Sequence, residues 1–155
     1  MELNLGYDKM GTRLSQIGST PIEYDRMGTR AIRFGDHELS YDKLGARLQA
    51  IGDSTIEYDR LGTRATSVGP HQLRYDKLGT RLHTIGPLSV AYDRFGTRLC
   101  AIGPFTVGHD KLGSRPRRLD AGDRLQSIEA ETLTLLFYVL AVDWPRWRDR
   151  HEKRN

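Results

Sequence analysis

A motif that recurs every 17 residues dominates this sequence. Each unit begins with Tyr-Asp, continues with Lys or Arg and then Met, Leu or Phe, and soon reaches a Gly and an Arg. The Tyr-Asp pairs are Tyr7-Asp8, Tyr24-Asp25, Tyr41-Asp42, Tyr58-Asp59, Tyr75-Asp76 and Tyr92-Asp93, followed by His109-Asp110 at the next step. The glycine and arginine columns are Gly11, Gly28, Gly45, Gly62, Gly79 and Gly96, and Arg13, Arg30, Arg47, Arg64, Arg81 and Arg98. Self-similarity at one fixed period predicts an array of like structural units.

Each unit has room for two short strands. A second glycine, such as Gly52, marks a turn in the middle of each unit. One strand is predicted around 56–59, where Ile56 and Tyr58 share a face because side chains alternate along a strand. The other is predicted from Arg47 to Ile51. A helix is disfavoured, since glycine twice in every unit costs about 1 kcal/mol each time.

The Asp-Lys-Leu-Gly segment between strands is typical of a tight turn. The carboxylate accepts a nearby backbone N–H, and the glycine supplies a positive φ. If four residues connect the strands, Asp42 faces Arg47 and Tyr41 faces Leu48. We therefore interpret the Tyr, Asp, Gly and Arg columns as structural turn and ladder residues.

These features predict a mainly β fold, a tandem β-hairpin or β-solenoid-like repeat array. We assign residues 1–119 to the array, with six full units from Tyr7 to Gly108 and a partial unit at each end. Leu3 and Leu5 resemble the tail of a unit whose beginning is missing. A coil, a closed barrel and an open sheet all remain compatible with the pattern. In each case one sheet face needs to be covered.

A weaker pattern has a period of 34 residues. Lys and Arg alternate at the third position of each unit, and Leu14, Ala31, Leu48 and Ala65 alternate in size after the arginine column. Two explanations are open. Either a two-unit block was duplicated, or neighbouring units point to different sides, as in a 34-residue structural period.

The string Tyr-Asp-x-x-Gly-Thr-Arg-Leu resembles the YD repeat of the Rhs/YD-like family. The resemblance covers the array from about Leu5 to Arg115, and it implies β-hairpins arranged in a spiralling sheet. The unit here is a short, 17-residue variant, with a residue such as Thr29 inserted between Gly and Arg. Known members of the family build large shells around toxin cargo. We expect the hairpins but not toxin delivery, because this array is too short to form such a shell.

The repeat stops near Asp120, and residues 120–155 form a second segment. We predict a helix that begins at Asp120 or Asp123, continues through Leu125 and Ile128 and is apolar nearly all round beyond Thr132. The segment could cap the array, mediate self-association or lie in a membrane interface, the last suggested by tryptophans flanked by arginines. The side chains expected to contact a partner are Leu133, Leu136, Phe137, Leu140, Trp144 and Trp147.

The polar residues give little support for catalysis, because they recur in every unit instead of forming one distinct constellation. His37 and His71 share a repeat position, but no thiol or carboxylate column accompanies them, so we expect no metal and no cofactor. A single thiol, Cys100, excludes an intramolecular disulfide. No signal peptide and no apolar stretch long enough to cross a bilayer are seen, so a cytoplasmic location is expected.

The sequence thus predicts a non-enzymatic β-repeat scaffold that associates with itself or with another protein, the apolar helix serving as the assembly element. Two alternatives remain. The Tyr/Arg face could bind glycans or anionic polymers, or the protein could attach peripherally to a membrane. Nucleic acid is not an expected partner, because the net charge is only +4.

Overall fold

The structure is a computed structural model, and it describes residues 1–11, 13–28, 30–45, 47–78, 81–95, 98–110 and 115–146. Its strands are β1 (Glu2–Tyr7), β2 (Leu14–Ile17), β3 (Thr20–Tyr24), β4 (Ala31–Phe34), β5 (His37–Tyr41), β6 (Leu48–Ile51), β7 (Ser54–Tyr58), β8 (Ala65–Val68), β9 (His71–Tyr75), β10 (Leu82–Ile85), β11 (Leu88–Tyr92), β12 (Leu99–Ile102), β13 (Phe105–His109) and β14 (Pro116–Asp120). A helix, α1 (Ala130–Phe137), follows and continues as a wider π-helical turn, Tyr138–Asp143. Each 17-residue unit therefore supplies two strands, and the fold is mainly β.

The strands form one closed antiparallel barrel. Each strand pairs with its neighbours in the chain, and β1 pairs with β14 to close the circle. The solenoid-like alternative is therefore wrong. Leu3 pairs with Leu119 in the same register as Thr20 with Ile17. The missing beginning of the first unit is thus β14, at the other end of the array.

Two kinds of turn alternate around the barrel. The short hairpins have two residues, as at Gly18 between Ile17 and Thr20, and that glycine has a φ of 59°. Glycine with positive φ at the first of two turn residues is the II′ geometry, whose twist matches that of paired strands. At the Tyr-Asp turns, the Gly11 N–H donates to the carbonyl of Asp8 at 2.8 Å, as in a type I turn with Asp first and Gly last.

The pairing predicted within a unit is confirmed. Tyr41 pairs with Leu48, and the Asp42 carboxylate forms an ion pair with Arg47 at 3.3 Å. Tyr24 pairs with Ala31 in the equivalent position. Large and small residues at this position therefore point the same way, so the Leu/Ala alternation does not place neighbouring units on different sides.

The inward faces of the strands and the C-terminal helix share one hydrophobic core. Every residue from 134 to 140 is buried, which means that the helix is covered on all sides. The Phe137 ring stacks on Phe34 of β4 with centroids 4.5 Å apart. Since a barrel of this many strands leaves an interior that side chains of the wall alone do not fill, the helix acts as a plug.

The helix begins later than predicted. Asp120 ends β14, and its carboxylate accepts a hydrogen bond from the Gly122 N–H at 2.8 Å. Asp123 lies in a 3₁₀ turn, and α1 starts only at Ala130. The intervening chain crosses the mouth of the barrel, where Leu125 and Ile128 pack half-buried against the core. No helix of the described residues is long and apolar enough to span a membrane.

Candidate functional site: the turn rim and its cleft

The two ends of the barrel carry different turns. The hairpin rim holds the two-residue turns, and the turn rim holds the Tyr-Asp turns. The helix enters at the hairpin rim, where Glu131 lies 3.4 Å from His71. It ends at the turn rim, where Trp144 and Arg146 lie beside the tyrosine column.

In the part of the chain that the structure describes, an ion pair joins the Asp and Arg columns in six of the turns. The Arg13 Nε lies 2.8 Å from the Asp8 carboxylate, and the Asp8 N–H donates to the carbonyl of Arg13 at 2.9 Å. The equivalent pairs are Asp42–Arg47, Asp59–Arg64, Asp76–Arg81, Asp93–Arg98 and Asp110–Arg115, at 2.8–3.6 Å. These pairs hold the two ends of those six turns together.

The same arginines join each unit to the next. The Arg13 guanidinium lies over the Tyr24 ring, 4.2 Å from its centroid, and donates to the carbonyl of Gly28. The Tyr24 hydroxyl donates back to the carbonyl of Leu14 at 2.6 Å. The guanidinium contacts repeat at Arg30–Tyr41, Arg47–Tyr58, Arg64–Tyr75 and Arg81–Tyr92, and at Arg115–Tyr7 they close the ring. Gly79 and Gly96 lie outside the described residues.

We call each Arg–Tyr contact between neighbouring units, such as Arg13–Tyr24, a joint. Burial raises the pKa of the tyrosines in these joints, to about 12 for Tyr24, because a phenolate would be poorly solvated there. The hydroxyls therefore stay protonated and act as donors at neutral pH. Tyr41, Tyr58, Tyr75 and Tyr92 show the same direction of shift and the same leading cause.

One joint differs from the others because His109 stands where the other units have Tyr. Among the described residues, its buried Nε2 has no hydrogen-bond partner. Burial, aided by the positive charge of Arg98, lowers the pKa of His109 below its ordinary value of 6.5. This joint therefore lacks the hydroxyl bond that the tyrosines make.

The tips of the turns carry apolar side chains that face solvent. Their exposed fractions are 83–91%, far above those of the inward-facing residues. The tips are Met10, Met27, Leu44, Leu61, Leu78 and Phe95. Because the barrel closes in an unchanged register, the units are related by rotation about its axis, and the tips form one ring. Exposed apolar side chains repeated around one rim make that rim a candidate interaction site.

Each tip follows a cation. These are the exposed residues Lys9, Arg26, Lys43, Arg60, Lys77 and Arg94. Among the described residues, they take no part in the ion pairs that neutralise the Asp and Arg columns. The turn rim therefore presents an apolar ring interleaved with positive charge. The Met, Leu or Phe at this position had no expected role, although an apolar residue repeated inside a polar turn is a signal that the sequence contains.

A cleft of about 480 Å³ opens at the turn rim, between the end of the helix and the first units of the wall. Its wall includes Leu14, Ala31 and Leu48, and its helix side includes Leu140 and Val142. Arginines and tyrosines surround these apolar residues: Arg13, Arg30, Arg47 and Arg146, with Tyr7, Tyr24, Tyr41 and Tyr58.

The residues expected to form an assembly surface are mostly buried in the core. Leu136, Phe137, Leu140 and Trp144 are at most 4% exposed inside the barrel, and Leu133 is half-buried. They face the wall because the helix fills the interior, so they are unavailable to a partner in this structure. Trp147 lies outside the described residues.

The histidines do not form a metal-binding cluster within the described part of the chain, where no group of three His, Cys, Asp or Glu side chains comes together. His71 instead lies 3.4 Å from Glu131 at the hairpin rim, and His37 packs beside Gly52.

A scan against protein-family models and searches of the curated proteins and of the solved structures found no match to this chain.

Proposed function

We propose that this protein is a non-enzymatic binding barrel that docks its turn rim onto an anionic lipid surface. The observation that carries the proposal is the ring of exposed apolar tips, each preceded by a cation. Apolar side chains enter the boundary between headgroups and acyl chains, and Lys and Arg attract anionic lipid. We also propose membership of the YD-repeat family, which rests on the repeated motif alone.

The charges of the rim favour an anionic surface over a second copy of the chain. Two turn rims placed face to face would bring rings of like charge together, which is destabilising. The apolar helix expected to drive self-association lies inside the barrel. The tip side chains take no part in closing the turn, because Asp8, Gly11 and Arg13 close it through their own bonds.

Flotation with vesicles tests the proposal. Full-length protein should float with phosphatidylserine-rich vesicles and remain behind with pure phosphatidylcholine. Replacing three tips, as Leu44→Ser, Leu61→Ser and Leu78→Ser together, should abolish flotation. The matched control is Thr55→Ser, Gln72→Ser and Thr106→Ser, three exposed strand positions next to the hairpin rim.

Replacing the cations that precede the tips provides a second test in the same flotation experiment. At ~1 kcal/mol per basic residue near the surface, Lys43→Gln, Arg60→Gln and Lys77→Gln together should weaken binding by about two orders of magnitude. Arg74→Gln with Arg118→Gln, on exposed wall positions, should change it little. Equal flotation with both lipids would overturn the proposal. The proposal would also be overturned if sedimentation showed a discrete oligomer that is lost in the tip variant, because the rim would then be an interface between protein chains.

A further inference from the structure

The helix reaches the turn rim beside the later units of the wall. There Asp143 lies close enough to Tyr75 and Tyr92 to help raise the pKa of their hydroxyls. Deeper in the barrel, Phe137 stacks on Phe34 of the first units. The cleft therefore opens only at the turn rim, between the end of the helix and the first units.

The cleft has the composition of a small-molecule site. Its volume of about 480 Å³ lies within the usual range for such sites, which are mostly apolar with a few convergent polar groups. Leu140 and Val142 of the helix side face Ala31 and Leu48 of the wall across it. An apolar body would therefore be covered on two sides.

Positive charge surrounds this apolar interior. Arg13, Arg30, Arg47 and Arg146 all line the cleft, and the described lining contains no carboxylate. Arg13 and Arg47 are ion-paired to Asp8 and Asp42 outside the lining. Arg146, the last described residue, adds charge from the helix, and its side chain is exposed.

We propose that the cleft binds an amphipathic monoanion, a molecule with one carboxylate, sulfonate or phosphate group on an apolar body. The body lies between the helix and the first units, and the anionic group lies at the mouth among the arginines. Guanidinium groups suit such oxyanions because they donate two parallel hydrogen bonds. This binding is independent of docking at the tips, since the tip cations do not line the cleft.

Titration of the full-length protein with 8-anilinonaphthalene-1-sulfonate, an aromatic monoanion that fluoresces in apolar surroundings, tests this site. The dye should bind saturably at one site per chain. Decanoate should displace it, and decanol, which has the same chain without the charge, should displace it much more weakly. Equal displacement by decanol would overturn the assignment of an anion, and failure of the dye and of decanoate to bind would overturn the site.

The repeat supplies a matched pair of variants. Arg30 and Arg64 occupy the same column and make the same contact with the next tyrosine, but only Arg30 lines the cleft. Arg30→Gln should weaken decanoate binding ~10-fold, as expected for loss of a charge-assisted hydrogen bond, and Arg64→Gln should leave it unchanged. Equal effects of the two variants would contradict the proposal.

Ala31→Leu places a larger side chain in the cleft and so provides an independent test. Leucine already occupies this register position at Leu14 and Leu48, so the variant should fold, which circular dichroism can confirm. Dye binding should be lost, and retention of full affinity would overturn the site. The triple tip variant should keep full dye affinity, so failure of vesicle docking and failure of this site are distinguishable.

Discussion

The two rims of the barrel connect the same strands in opposite ways. At the hairpin rim, two residues suffice, and those after the glycine are polar or proline: Ser19, Asp36, Asp53, Pro70, Pro87 and Pro104. At the turn rim, each connection is longer, and its middle residues point into solvent. The hairpin rim is also crossed by the chain that leads to the plug.

The difference shows which positions of the repeat hold the turn together and which are left exposed. A two-residue II′ turn has no spare position, since both residues set the backbone path. The Tyr-Asp turn uses Asp8 and Gly11 for its closing bond and leaves Lys9 and Met10 between them. Substitutions at the hairpin rim should therefore cost stability, and substitutions at the tips should cost binding.

The largest effect on stability is expected at the hairpin rim, for Gly52→Ala. Gly52 has a φ of 58°, and an added Cβ would lie 2.5 Å from Nδ1 of His37. Left-handed backbone alone costs ~1–2 kcal/mol for a residue with a Cβ, and the clash adds to this. Urea unfolding should show a larger loss than for Gly69→Ala, which has the same φ but whose nearest neighbour is Ser54 Oγ at 3.3 Å. Equal losses would mean that His37 moves aside freely.

A smaller loss is expected at the joints of the turn rim. Tyr24→Phe removes the hydroxyl that donates to the carbonyl of Leu14 at 2.6 Å but keeps the ring beneath Arg13. The free energy of unfolding should fall by ~1 kcal/mol. Tyr24→Leu should cost more because it also removes the contact with the guanidinium. If the two variants were equally stable, that contact would contribute nothing to the joint.

His109→Tyr should strengthen the one joint that lacks a tyrosine. A hydroxyl there can donate to the carbonyl of Leu99, as Tyr92 does to Leu82 at 3.0 Å, for a gain of ~1 kcal/mol at pH 7. The lowered pKa of His109 means that the unfolded chain binds a proton more readily, so stability falls as the pH drops below 6.5. The gain measured by urea unfolding should therefore be larger at pH 5 than at pH 7. A pH-independent gain would show that His109 is not desolvated.

The smallest effect on stability is expected at a tip. Leu61→Ser changes a side chain that is 84% exposed, so the free energy of unfolding should stay within about 0.5 kcal/mol of the parent. Vesicle binding should nevertheless weaken, and it should weaken again when Leu44→Ser is added, because the two tips contribute separately. A stability loss above that bound would show that the tips pack on the barrel.

The interior of each unit was predictable from the sequence. The pairing of Tyr41 with Leu48 and the ion pair of Asp42 with Arg47 both follow from the length of one turn and the alternation of side chains. The start of the helix at Ala130 was not predictable from capping residues, because the preceding chain first has to cross the mouth of the barrel. The ring of exposed tips was missed because an isolated apolar residue in a turn is not unusual, and the tips lie around one rim only because the barrel closes.

The 17-residue period alone determined that this chain makes pairs of short strands with two kinds of turn, since every interaction that sets them lies within one unit or between adjacent units. Only the tertiary structure decided that the array closes on itself and that the helix lies within it. Closure depends on the small rotation between neighbouring units summed around the whole array, and on whether the volume enclosed can be filled. Neither the rotation nor the fit of the enclosed volume can be predicted from a local sequence pattern, because both are set by packing among all the units and the plug together.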